Sequence, residues 1–190
     1  MLARHVLIIV ILALAGCSAF SSTKPVEALD DRTGATVASL PEPIELAPSA
    51  ATATLEFGKR NSFAYIGPTE WDRMGSIRYG LWVHVAPGSG SQADDIRKPG
   101  AVTLRLDGEP QVLSSVEAPK LGRDPYKPVV PWGQSAYFDL SVETLKKMAA
   151  SRSVELNIRS TGGATLIFSA SHDPRAALTR YIRGRGIAVD

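Results

Sequence analysis

Through most of the chain, apolar residues recur at every second position in short runs, the spacing of half-buried β-strands. The clearest pair of runs is Phe63–Trp71 and Ile77–Val85, around Asp72-Arg73-Met74-Gly75-Ser76. Gly75 supplies the positive φ that a short hairpin loop needs. Setting Asp72 opposite Ser76 places Trp71 against Ile77, Thr69 against Tyr79, Gly67 against Leu81, Tyr65 against Val83 and Phe63 against Val85. That side is almost wholly apolar and is expected to meet the core. The reverse side then pairs Glu70 with Arg78, Pro68 with Gly80, Ile66 with Trp82 and Ala64 with His84.

Other alternating runs are Thr36–Leu40, Val102–Leu106, Ser135–Leu140 and Val154–Arg159. Asp107-Gly108 turns the second of these toward Gln111–Val116, and Thr161-Gly162-Gly163 turns the last toward Ala164–Ser169. Pro41 and Pro43 restrict their segment to an edge or loop, and residues 47–54 read as a connection. The period changes twice. Ser141 is placed to cap a helix carrying Val142, Leu145, Met148 and Ala149 on one stripe. Asp173-Pro174 starts a second helix with Ala177, Leu178, Tyr181 and Ile182 aligned, which Gly184 ends. About eight short strands predict a mainly β fold, an antiparallel β-sandwich or curled sheet with two short helices near the C-terminus.

The N-terminus departs from this pattern. Arg4 precedes an unbroken apolar run, Val6–Ala15, followed by the small residue Gly16 and then Cys17. This is the anatomy of a signal peptide, and the run is short of the roughly 20 residues that span a bilayer. Leu14-Ala15-Gly16-Cys17 resembles the lipobox of bacterial lipoproteins. That resemblance implies cleavage before Cys17, diacylglycerol on its sulfur and an acylated new N-terminus. Ser18 after the cysteine, in place of Asp, implies sorting to the outer membrane and attachment at its periplasmic face. The alternative is an uncleaved anchor, since residues 6–23 carry no charge; Ser18, Ser21, Ser22 and Thr23 make that stretch a poor helix end to bury. The expected organisation is a signal peptide over 1–16, a lipidated tether over 17–28 and one β-rich periplasmic domain over 29–190.

Composition narrows the chemistry. A formal charge of +2 over 190 residues gives no basis for nucleic-acid binding. Cys17 is the only cysteine, so no internal disulfide forms. His84 and His172 are the only histidines beyond the leader, and Asp94-Asp95 lacks the alternating ligands of a calcium loop; no metal or other cofactor is expected. Gly88-Ser89-Gly90-Ser91 lacks the spacing of a nucleophile elbow, and no catalytic motif stands out.

Three surfaces stand out. Trp82 and His84 share one side of their strand, with Glu70 and Arg78 nearby, a set suited to stacking on a sugar or gripping a peptide. The alternative is that a second layer covers Trp82 and Ile66 while Glu70 and Arg78 form a rim ion pair. The proline-rich stretch 118–134 carries Tyr126 and Trp132 and is long for a structureless loop. It either presents these aromatics to a partner or packs them on the sheet. Arg175, Arg180, Arg183 and Arg185 make the last helix basic, which suits its dipole and also anionic headgroups or lipopolysaccharide.

Leu29–Val37, Gly67–Gly75 and Tyr79–Trp82 resemble segments of uncharacterised proteobacterial lipoproteins, a likeness that implies an envelope location and supplies no catalytic residues. The expected role is a non-enzymatic binding or assembly accessory, held to the membrane through acyl chains on Cys17 and offering a surface to an envelope protein or glycan. The rivals are a hydrolase of envelope material with a site around Glu70, Asp72 and His84, and a passive structural lipoprotein.

Overall fold

A computed structural model describes residues 24–55, 62–86, 88, 93–111, 113–117 and 121–188. Cys17, the run Val6–Ala15 and residues 18–23 lie outside the described residues, as do residues 89–91 of the glycine-serine stretch and 118–120 of the proline-rich one.

The strands are β1 (Val26–Asp30), β2 (Ala35–Ser39), β3 (Ile44–Pro48), β4 (Phe63–Arg73), β5 (Ser76–Ala86), β6 (Val102–Leu106), β7 (Glu109–Gln111), β8 (Ser115–Val116), β9 (Gln134–Asp139), β10 (Val154–Arg159) and β11 (Thr165–Ala170). The helices are α1 (Ala50–Leu55), α2 (Val142–Ala150) and α3 (Arg175–Gly184). The strands form one curled antiparallel sheet in the order β7-β6-β10-β11-β3-β4-β5-β9-β8. On the free side of β4, β2 pairs next to β3 and carries β1 as an edge strand.

The long central hairpin corrects the expected register by one residue. Its loop is Met74-Gly75 alone, with Arg73 opposite Ser76 and Asp72 opposite Ile77. Both loop residues have positive φ, +55° and +84°, as a two-residue turn matching the strand twist requires. Asp72 fixes the turn by accepting a 2.8 Å hydrogen bond from the Gly75 amide. A one-residue slip changes which side chains share a face. Ala64, Ile66, Pro68 and Glu70 now lie with Val85, Val83, Leu81 and Tyr79, while Tyr65, Gly67 and Trp71 lie with His84, Trp82 and Arg78. Both faces of this hairpin are covered, so its apolar residues follow no single alternation that would choose a register.

Elsewhere the expected elements stand with shifted limits. The run 111–116 is divided: β7 pairs with β6, while β8 crosses to β9 at the far edge. β1 starts at Val26, inside the stretch expected as tether, and residues 47–54 hold the end of β3 and most of α1. Ser141 caps α2, its hydroxyl accepting from the Thr144 amide at 3.0 Å. At α3 the cap position is Pro174 rather than Asp173, whose carboxylate accepts from the Arg175 amide at 3.0 Å. Leu145 and Met148 of α2 and Leu178, Tyr181 and Ile182 of α3 are buried in one core with Leu46, Ile66, Leu81, Leu104, Leu156 and Phe168. Neither helix is long enough to hold its shape alone, and burial of this apolar stripe supplies the stability.

Candidate functional site

The sheet has a helix-covered face and a face covered by irregular chain. The second is built around a weakness in β4. Thr69–Asp72 pair with β2 and Ala64–Ile66 pair with β3, so the ladder breaks at Gly67-Pro68. Tyr126, in the strap formed by residues 121–133, closes this break. Its hydroxyl accepts from the Leu40 amide at 2.9 Å and donates to the Pro68 carbonyl at 2.8 Å. One side chain thereby satisfies two buried backbone groups that would otherwise each cost about 1 kcal/mol. Its ring sits directly against Gly67, where an added Cβ would lie 2.3 Å from a ring carbon. Burial pushes the phenol pKa far up, keeping it a neutral donor.

A row of rings continues from Tyr126. Trp82 lies 5.1 Å from it and stacks on His84 at 5.6 Å with planes 7° apart. Gly133, at the end of the strap, presses on His84: a Cβ there would come within 2.3 Å of Cε1. His84 Nδ1 is 2.9 Å from Ser135 Oγ, while Nε2 has no partner among the described residues. Burial pushes the imidazole pKa down, so the ring is neutral. Beside this row, Trp71 covers Gly80 and meets Tyr137 edge-on at 5.5 Å.

The strap's other end is tied to the edge hairpin β1–β2. Asp30 accepts from the Gly122 amide at 2.5 Å and from the amide and hydroxyl of Thr33 at 2.8 and 2.9 Å. Partial burial opposes ionisation of Asp30, but these donors outweigh it and hold the carboxyl below its usual range. Between strap and hairpin runs an open groove of about 770 Å³. Val26, Ala28, Val37, Pro41 and Pro43 give it an apolar floor, Tyr126 and Val129 form part of its wall, and Asp31, Arg32, Arg123, Asp124 and Lys127 rim it.

The residues singled out in the sequence thus divide. Trp82, His84 and Tyr126 come together, but as a buried stack beneath the strap. Trp132 is 54% exposed at a turn of the strap. Arg78 faces Trp71 across the hairpin and is exposed. Glu70 does not pair with Arg78: it is buried on the opposite face, where Arg185 donates to it at 2.6 Å and also meets Glu27. The bond to Glu70 is the largest of the effects raising the Arg185 pKa. Glu70 and Asp72 lie on the helix-covered face and His84 on the other, so that trio does not converge on one substrate. Among the described residues no three His, Cys, Asp or Glu side chains gather where they would hold a metal ion, and no helix is long and apolar enough to cross a membrane. The groove is hidden in the sequence because residues 26–28, the first part of β1, read as the end of the tether. A usable signal was Gly67-Pro68 inside a strand, which marks a broken ladder approached closely by another group. No family model matches the chain, and neither does any curated protein or solved structure.

Proposed function

We propose that the chain is a lipid-anchored protein of the bacterial cell envelope whose domain is a non-enzymatic binding module, with the groove beside β1 receiving an extended segment of a protein partner. The groove itself is the observation that carries this reading. It runs along an edge strand that pairs on one side only, over an apolar floor with charges of both signs at its rim. An extended peptide gains main-chain hydrogen bonds from such an edge and seats alternate side chains on the floor. The strap contributes rigidity, which lowers the ordering cost of binding. Glycan recognition draws on exposed ring faces, whereas Trp82 and Tyr126 are sealed in the stack and the exposed Trp132 does not line the groove, which favours the polypeptide. Lipid attachment at Cys17 rests on the lipobox and the apolar run before it.

The test uses a photocrosslinking side chain at Val26, at Val129 or, as control, at the fully exposed hairpin tip Met74, in the lipidated protein within envelopes. Val26 and Val129 are expected to give one adduct of the same mass, lost when Ala28→Trp fills the groove. An adduct that survives the filled groove, or that Met74 yields equally, contradicts the assignment.

A further inference from the structure

The end of the domain from which the chain leaves toward Cys17 is a defined place. Pro25 packs on the C-terminal end of α3 so closely that a Cβ on Gly184 would lie 2.7 Å from its ring. The next residue of the helix region, Arg185, ties this end to the sheet through Glu27 and Glu70. The root of the tether and the end of α3 are therefore one rigid unit.

Exposed cations lie on either side of that junction along the chain: Lys24 directly before Pro25, and Arg180 and Arg183 in the last turns of α3 before Gly184. Of the four arginines in this region, Arg175 is held by Asp173 at 2.6 Å and Arg185 by its two glutamates. Arg180 and Arg183 have no ion-pair partner among the described residues. They stand at the mouth of a shallow hollow between α2 and α3 whose lining includes Ala149, Ala150 and Ala176.

We infer that this end of α3, through Arg180 and Arg183 with Lys24 beside them, is the membrane-facing surface of the domain and docks on the anionic phosphate headgroups of the leaflet that holds the acyl chains. The inference rests on the lipid-anchor reading above. Geometry does the selecting. However residues 18–24 are arranged, the eight peptide steps from Cys17 to Pro25 span at most about 29 Å. A domain of this size is roughly 40 Å across, so only the end bearing Pro25 stays within reach of the lipid surface in every orientation. The exposed cations at that end complement a negatively charged leaflet, and each is worth roughly fivefold in the ratio of docked to undocked domain. Attachment then has two components, acyl chains and a basic surface, the combination that makes membrane anchoring persistent.

The experiment uses the full lipidated protein in vesicles of phosphatidylcholine with or without one-fifth phosphatidylglycerol, its acylation checked by intact mass. Ala176→p-benzoylphenylalanine places a photocrosslinker beside the two arginines, and Met74→p-benzoylphenylalanine places it at the tip of the β4–β5 hairpin. Expected are lipid adducts from position 176 that exceed those from position 74, rise with phosphatidylglycerol and fall in 0.5 M salt. Adding Arg180→Gln and Arg183→Gln is expected to shift the docked ratio roughly 25-fold toward the undocked state, with the circular dichroism spectrum unchanged. Acylated protein whose position 176 gives no more lipid adduct than position 74, or whose adducts ignore both lipid charge and the arginines, overturns the membrane-facing surface and leaves the anchor standing. Protein with an unmodified Cys17 overturns the anchor and the surface together.

Discussion

The two faces of the sheet are closed by different means. The helix-covered face is sealed by α2 and α3, whose apolar stripes are written at helical spacing and whose position is fixed by Arg185 between Glu27 and Glu70. The other face is sealed by thirteen residues without regular structure, held at Gly122, Tyr126 and Gly133. Helices satisfy their own backbone and need only an apolar floor. An irregular cover must match individual donors and acceptors on the sheet, and here one phenol hydroxyl does so at the break in β4. The first kind of closure is spread over many contacts; the second is concentrated in few.

Removing single groups should expose that contrast. The largest effect is expected on the helix-covered face, where Arg185→Ala leaves the buried Glu70 carboxylate without its partner. Breaking such a pair costs about 3–5 kcal/mol in denaturant unfolding, and Arg185→Met with Glu70→Met should recover most of it. A double variant as unstable as the single one would mean that the triad does more than neutralise charge. Next comes Gly67→Val on the other face, which drives a side chain into the Tyr126 ring and should cost about 3 kcal/mol. Tyr126→Phe keeps the ring but leaves the Leu40 amide and Pro68 carbonyl unpaired, for about 2 kcal/mol. Its signature is local: the Leu40 amide should exchange with solvent much faster while the amides of α3 are unchanged. Equal acceleration in both regions would dissolve the distinction between the faces.

The smallest expected effect is pH dependence from His84. Its folded-state pKa lies below the ordinary value of 6.5, so below that pH the unfolded chain binds more protons. The stabilisation is complete above about pH 6.5 and is lost as the pH falls from there toward the lowered folded-state value. Between pH 6.5 and 5 this amounts to no more than about 2 kcal/mol and should vanish in His84→Gln. A profile that is the same in that variant would place the titration elsewhere.

Much of this architecture is legible in the chain. Period-2 runs mark β2, β4, β5, β6, β9, β10 and β11, and Ser141 with its following stripe marks α2. What stays hidden has identifiable causes. The register of the central hairpin is hidden because both faces are apolar and Gly75 serves a two-residue loop as well as a three-residue one. Residues 26–28, the first part of β1, read as the end of the tether because an exposed edge strand needs little hydrophobicity. Ile44–Pro48 follows two prolines, which read as loop until Tyr126 is seen bridging Leu40 to Pro68. Trp82, His84 and Tyr126 stack together in the fold, yet spacing says which side of a strand a residue occupies and nothing about what covers it. The groove depends on a strap meeting an edge hairpin some ninety residues away, a relation no local pattern contains.

Both proposed roles, a partner in the groove beside β1 and headgroups under α3, depend on the chain being held at a membrane by its seventeenth residue. Mass spectrometry of the N-terminal peptide from protein purified out of bacterial envelopes measures this directly. The account predicts a peptide beginning at Cys17 and carrying diacylglycerol on sulfur with a further acyl chain on nitrogen. A mature chain that begins elsewhere, or a Cys17 recovered as free thiol, contradicts it.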